Sequence, residues 1–488
     1  MIKKNLRTLA AIAKKALVIA AACTISFPAF AEGYQINSQS ARQWGMAHTG
    51  TALKLGAESM LFNPAGLAYM DSKFDISLGT IAIKSRVDFE QGAYTHKTNN
   101  PLSTPVFGHV GFKLGKNLAV GVNITNPAGN SLVWGDNWIG ATLIQDVSLK
   151  AFCIQPTVSY KIGKVLSIGA GLMIDFGSFS QNKALTKPGQ FDALSPLAQS
   201  LSSFVPALAG VPAAIESFSG QTPAGISLEG KSKVSYGVNV GILVNVSPQV
   251  TLGASYRSQV KLSVAEGNTK IAYANDNAKQ LINDFATMEL PSAVLGQLPA
   301  ATQATIKATQ AKLQEMLVME GAKFAAEMPI PSIISAGIAY TPTEKWTITG
   351  EAQFTQWSEY KNLDLTFTTL AFPENPIKQS FEKNYKNTVA VRIGAEYDAC
   401  DFVTVRAGVY MDTPPVQMNN YNPETPSARS YGVTAGATLN PTKFMAIDLA
   451  VGYLKGEKTT GSCISDRVFE AAYTKQAIMP GLGLRFKF

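Results

Sequence analysis

From Val234 to Val246 the chain alternates without a break: Val234, Tyr236, Val238, Val240, Ile242, Val244 and Val246 fall on one face, and Ser235, Gly237, Asn239, Gly241 and Asn245 on the other. Successive side chains of a β-strand point to opposite faces, so this segment reads as a strand with one apolar and one polar or small face. The period recurs from Thr251, where Leu252, Ala254, Tyr256, Val260 and Leu262 oppose Thr251, Gly253, Ser255, Arg257, Gln259 and Lys261. It recurs again with Trp346, Ile348, Ala352 and Phe354 against Thr347, Thr349, Glu351, Gln353 and Thr355, and with Ile447, Leu449, Val451 and Tyr453 against Asp448, Ala450 and Gly452. A soluble sandwich also alternates, but it rarely keeps uncharged apolar residues on its outer face so consistently. A membrane barrel must do so, because lipid lies outside it and water inside.

Marking every such segment predicts about fourteen strands, near 73–89, 105–114, 117–127, 151–162, 164–180, 233–247, 249–266, 332–342, 344–368, 385–398, 401–412, 428–440, 443–456 and 473–488. The number is even, as in bacterial barrels, and the connectors alternate between tight turns and long loops, the rhythm of periplasmic turns and extracellular loops. The expected fold is therefore all-β, a transmembrane antiparallel barrel over 72–488. The last strand, Ala477 to Phe488, ends on Phe, and it is the expected contact with the barrel-assembly machinery. Outer-membrane lipid is the expected surrounding partner.

Two long connectors, near 181–232 and 267–331, are not plain loops. Leu194, Leu197, Leu201, Phe204, Val205 and Leu208 recur at helical spacing, as do Leu281, Ile282, Phe285 and Met288, then Leu313, Met316, Leu317 and Met319. These inserts either pack on one another and close the barrel top, or present Leu201, Phe204, Leu281, Phe285 and Met316 as a groove where a hydrophobic ligand first lands.

At the other end, Lys3, Lys4, Arg7, Lys14 and Lys15 precede an apolar run and then Ala29-Phe30-Ala31. This is a secretory signal peptide, 1–31, cleaved near Ala31; a lipoprotein reading through Cys23 fits less well. Its removal takes away five basic residues and no acidic one, so the formal charge falls from +8 to +3 and gives no reason to expect a nucleic-acid partner. No later stretch is long and apolar enough for a membrane helix, so a spanning chain must close as a barrel. Cys153, Cys400 and Cys463 are far apart and odd in number, which supports neither a disulfide framework nor a metal site. With three histidines, His48, His96 and His109, and no H-E-x-x-H, G-x-S-x-G or phosphate loop, neither enzymatic chemistry nor a cofactor is expected.

Residues 33–70, before the first strand, are too polar and Gly-rich for a strand pair. Asn63-Pro64-Ala65 reads as the start of a short helical turn, with Asn as cap and Pro at the first position. The lumen of a fourteen-strand barrel is wider than its own side chains can fill, so 32–71 is the candidate hatch.

Together these residues resemble the FadL family of outer-membrane transporters for long-chain fatty acids and other hydrophobic compounds. The resemblance is carried by Phe62-Asn63-Pro64-Ala65-Gly66-Leu67, Tyr236-Gly237-Val238-Asn239-Val240-Gly241, Leu252-Gly253-Ala254-Ser255-Tyr256-Arg257-Ser258, Lys345-Trp346-Thr347 with Trp357-Ser358, and Arg406-Ala407-Gly408, in order along nearly the whole mature chain. It implies capture at the outer loops, passage to a lumenal pocket and exit through a gap at an irregularity in strand three. Here Asn126-Pro127-Ala128-Gly129 ends that strand, and Pro and Gly there would interrupt the ladder, unless they simply start a loop.

Two departures bear on substrate: this chain has Gly140-Ala141-Thr142 where some relatives place an Arg, and no base between Phe176 and Asn182. Lumen-facing bases are expected at Arg257, Lys261, Lys361, Arg392, Arg406 and Arg485. They either pair with Glu351, Glu396 and Asp448 and hold the hatch, or meet a ligand carboxylate; Arg257, Arg392 and Lys361 are the head-group candidates. The function expected is passive transport of long-chain fatty acids or similar compounds across the outer membrane. Neutral aromatic hydrocarbons on the same fold, a polar-solute porin, or an adhesive role for the loops are the alternatives.

Overall fold

A computed structural model of the chain describes residues 33–189, 191–192, 194–202, 209–288, 300–371, 373–463 and 469–488; the expected signal peptide and Phe204 lie outside them. Fourteen antiparallel strands form a closed ring: Phe74–Ile81, Val106–Lys113, Leu118–Thr125, Asp146–Ile162, Leu166–Ala184, Ser235–Asn245, Val250–Arg257, Ile333–Thr343, Trp346–Thr355, Thr388–Cys400, Val403–Asp412, Ser430–Thr442, Met445–Gly456 and Glu470–Lys487. The last strand pairs with the first from Asp75↔Lys487 to Ile81↔Gly481, and Phe74 and Phe488 exchange backbone hydrogen bonds of 3.0 and 2.9 Å. Closure leaves no unpaired edge in the hydrocarbon, which is what a sheet in lipid requires. No described helix is long and apolar enough to cross a membrane.

In the membrane band the alternation runs apolar outward. Tyr236, Val238, Val240 and Ile242 are exposed, while Gly237 and Asn239 between them and Leu243 after them are buried in the interior. Aromatic residues gather near the rim with the tight turns, where Phe74 packs on Phe112 (4.8 Å), Phe444 on Phe488 (6.2 Å) and Trp346 on Tyr397 (4.6 Å). Such rings prefer the interface between lipid and water.

Beyond the opposite rim the wall continues and the pattern inverts. The seventh strand ends at Arg257 and the chain resumes as Val260–Tyr273. Leu252 and Tyr256 are exposed to lipid, but Val260, Leu262 and Val264 are buried. The expectation that Val260 and Leu262 share the lipid face of Tyr256 is thus corrected, and with it the inward placement of Lys261, which is exposed and lies 3.8 Å from Glu327. The physical reason is a change of solvent: above the membrane the outside is water, so apolar side chains turn inward onto a roof. Lys84–Gln91, Gly129–Val133, Ala224–Lys231, Lys323–Ile330 and Asn362–Thr368 belong to this taller wall. The expected single segments 73–89, 249–266 and 344–368 are each two strands there.

The roof is one apolar cluster that includes Phe324, Phe367 and Trp357 with the helices Asp276–Thr287 and Ala300–Leu317. Met316 is buried in it, and Leu281 and Phe285 are half-buried against it. Leu201 ends the helix Leu194–Leu201. The described apolar side chains of Asp276–Thr287 and Ala300–Leu317 therefore turn into the protein's own roof.

Candidate transport path

Residues 33–70 lie inside the ring as short helical turns, Ala41–Trp44, Gly56–Glu58, Ser59–Phe62 and Pro64–Tyr69. Asn63 caps the last of these, accepting from the Ala65 amide at 3.1 Å, with Pro64 following it. Its side-chain amide also donates to Thr51 O (2.8 Å) and, on the wall, to Ile242 O (2.9 Å). One residue thus ends a turn, braces the segment and ties it to the sixth strand.

The segment touches the wall backbone to backbone, and glycines make that approach possible. A Cβ on Gly241 would stand 2.0 Å from Asn63 Oδ1, on Gly253 2.0 Å from Thr51 O, on Gly169 2.3 Å from Pro64 C and on Gly408 2.5 Å from Ala47 N. Side chains complete the seat. Trp44 donates its indole N–H to Met479 O at 2.9 Å, and Ser159 and Ser167 donate to Ala65 O at 3.1 and 3.0 Å.

Buried charges hold the same interface. Glu351 accepts from the amides of Gly50 (2.9 Å) and Thr51 (2.8 Å), and Arg392 stands 3.9 Å from Glu351 and 3.7 Å from Asp412 while donating to Gln353 at 2.9 Å. Arg257 donates to Leu61 O at 2.9 Å. Arg406 pairs with Glu396 at 2.5 Å and Arg485 with Asp448 at 2.6 Å. Lys361 is exposed in the connector after Trp346–Thr355 and so is not a lumenal base: its strand has already left the membrane and turned. Lys475 does face the lumen, opposite buried Val87, on the same face as Tyr473, Ala477 and Met479. The sequence reading passed over it, although the alternation with those three residues was there to be used.

On one side the ladder of the third strand, Leu118–Thr125, ends early. Its pairing with the second strand reaches Gly108↔Ile124 and stops. Asn126 then bonds through its side chain, accepting from Val106 N at 2.9 Å and donating to Ala151 O at 3.0 Å. Pro127 has no amide to offer the ladder. The backbone from Pro127 to Gly129 pairs with the N-terminal segment instead: Ile36 N donates to Pro127 O (3.2 Å) and Gly129 N to Tyr34 O (2.9 Å), with Gln35 bridging Ala128. The facing stretch turns away, Ser103 bonding with Ile83 at 2.7 and 3.0 Å. A cavity of about 720 Å³ fills the space between them. It is lined inside by His48, Arg392, Tyr410, Leu454 and Met479, and on the outer face by Leu102, Ser148 and Lys150.

Tyr34 anchors the upper end of this strap. Its ring meets Trp357 edge-on at 4.7 Å and Tyr360 at 6.0 Å, and its hydroxyl donates to Pro329 O. Nearby in the roof, burial opposes the charge of Lys383, but Glu424 at 2.8 Å outweighs it and raises the ammonium above its ordinary value.

A closed fourteen-strand barrel with an apolar outer band and its own N-terminal segment lodged inside has the architecture of an outer-membrane protein. A family model described as "Outer membrane protein transport protein (OMPP1/FadL/TodX)" matches residues 22–488, and the chain belongs to this family of outer-membrane transporters. It is 25% identical over 455 residues to the long-chain fatty acid transport protein of Salmonella typhi, covering 91% of this chain and 92% of that one. Among solved structures it is similar to a Pseudomonas aeruginosa FadL homologue (TM-score 0.71, 18% identity, 94% of this chain and 100% of that chain). It is also similar to the Pseudomonas putida toluene transporter TodX (TM-score 0.64, 15% identity, 93% and 99%), and at these identities the likeness concerns the fold.

Proposed function

We propose that this protein carries long-chain fatty acids or similar hydrophobic compounds passively across the outer membrane and releases them sideways through its wall. The observation that carries the reading is the cavity lined by His48 and Arg392 in the lumen and by Val106 and Phe152 of the apolar outer band, beside the place where the third strand loses its neighbour. Hydrophobic solutes cross hydrocarbon easily but are stopped by the polar outer leaflet. A route that bypasses that layer and ends in the hydrocarbon answers this barrier.

In this mechanism residues 33–70 are the hatch. A ligand received by the outer loops moves past the roof into the lumenal cavity and displaces Tyr34, Gln35 and Ile36 from the third strand. The hatch then has two positions, and ligand shifts the balance between them by binding one better. A polar-solute porin fits less well, because the seat of buried backbone contacts leaves no wide water path. The last strand, ending at Phe488, is what the barrel-assembly machinery would engage. No catalytic step is needed anywhere on this route.

Neutral aromatic hydrocarbons are the second reading of the substrate. It is favoured by the pairing of Arg392, Arg406 and Arg485 with carboxylates, and by Arg257 serving the hatch backbone. Uptake of labelled long-chain fatty acid by cells lacking their own transporter, with and without this protein and in competition with an uncharged aromatic, tests both. Saturable fatty-acid uptake supports the first reading, aromatic uptake alone selects the second, and neither compound entering sinks the transport proposal.

A further inference from the structure

The outward residues above the hydrocarbon band are sorted by height. Phe152 and Phe176, partners across the fourth and fifth strands and stacked at 5.8 Å, stand at the top of the apolar band. One pleat higher the outward positions are Lys150, Ser178 and Lys231, direct neighbours in register, with Lys233 exposed beside them. The next pleat carries Ser148, Ser180 and Glu229. The three lysines line one open groove of about 720 Å³ together with Ser148, Ser178, Ser180 and Ser232; its two carboxylates, Glu229 and Glu266, belong to the upper pleat and to the bulge between Val264 and Gly267.

We propose that this groove holds the phosphorylated head group of a glycolipid of the outer leaflet, with its phosphates on Lys150, Lys231 and Lys233. Height comes first: these are the first outward positions above the stacked Phe152 and Phe176, where head groups replace acyl chains. Charge comes second. Lysine is a compact donor suited to phosphate, and among the described residues none of the three has an ion-pair partner, whereas Lys261 on the neighbouring strand is matched with Glu327 at 3.8 Å. Spacing comes third: Lys150 and Lys231 are two strands apart, roughly 10 Å at the ordinary strand separation, a span for a head group with more than one phosphate. Lys150 also lines the outer mouth of the wall cavity, so the bound lipid would stand at the side of that mouth.

Native mass spectrometry of the full-length protein in detergent tests this, using diphosphoryl lipid A, the same lipid without its phosphates, and inorganic pyrophosphate, all with chelator present to remove bridging cations. The wild type is expected to hold diphosphoryl lipid A at least about tenfold more tightly than a Lys150→Gln, Lys231→Gln, Lys233→Gln variant. Phosphate-free lipid should bind both weakly and alike, and Lys116→Gln with Lys164→Gln, on the tight turns of the opposite rim, should leave binding unchanged. Heat-dependent gel mobility checks that the triple variant is folded; if it is not, the single variants at Lys150 and Lys231 must each weaken binding. Equal binding by the folded lysine variants, or equal binding of phosphate-free lipid, overturns the proposal. So does full competition by pyrophosphate, which would make the groove a site for free anions.

Discussion

Tyr34 stands edge-on to Trp357, ring centroids 4.7 Å apart at 86°, while its own carbonyl accepts the Gly129 amide at 2.9 Å. Tyr34 therefore joins the roof to the backbone that follows the third strand. The Tyr34 ring and the backbone hydrogen bond to Gly129 belong to one residue, so the two contacts are mechanically linked. An aromatic pair of this geometry contributes about 0.5–1.5 kcal/mol beyond burial.

Tyr34→Ala should loosen the strap without unfolding the barrel. The expected outcome is a larger ion conductance in planar bilayers, with the thermal midpoint nearly unchanged. Conductance equal to that of the wild type would show that Tyr34 does not hold the gap covered.

A disulfide between Gln35→Cys and Ala128→Cys, in a chain whose three mature cysteines are serine, should lock the strap to the third strand. Bridge partners of an antiparallel pair lie about 4.5–5.5 Å apart at Cα, within disulfide reach. Uptake should be lost in the oxidised form and return with reductant. Undiminished uptake by the oxidised form would rule out lateral release at this place.

Gly241→Val and Gly408→Val insert side chains where Asn63 and the Met46–Ala47 backbone sit, at 2.0 and 2.5 Å from the new Cβ. Both should give inserted barrels with a displaced hatch, read as raised conductance and faster proteolysis before residue 70. Gly350→Ala, whose Cβ would find its nearest neighbour at 3.8 Å, is the matched control and should behave as wild type.

Arg257→Gln removes the hold on Leu61 O. Because the guanidinium serves the hatch backbone, fatty-acid and aromatic uptake should change by the same factor. Loss of fatty-acid uptake alone would instead make Arg257 a carboxylate reader. Arg392→Ala is different: it leaves Glu351 and Asp412 buried without their base, a loss of about 3–5 kcal/mol in stability, visible in the thermal midpoint.

The strands of the membrane band were legible because one solvent surrounds them all along their length, so the apolar face never changes sides. The reading failed at Val260, Leu262 and Lys261, where hydrocarbon gives way to water and the same alternation means the opposite. Asn63-Pro64 was legible because a cap is local chemistry. The Tyr34–Ile36 strap was not, since it binds the third strand through backbone atoms that every residue has. The ion pairs lay between: Glu351↔Arg392 and Glu396↔Arg406 are direct cross-strand partners, readable once the register is known and invisible before.

The indole of Trp44 ends on Met479 O, in the strand Glu470–Lys487 that closes the ring against Phe74–Ile81. The seat of Trp44 is finished only when Glu470–Lys487 is in place, and the ring shuts with the same strand. A chain stopped short of residue 470 would lack not only one stave of the barrel but the partner that settles Trp44, so wall and filling mature together or not at all.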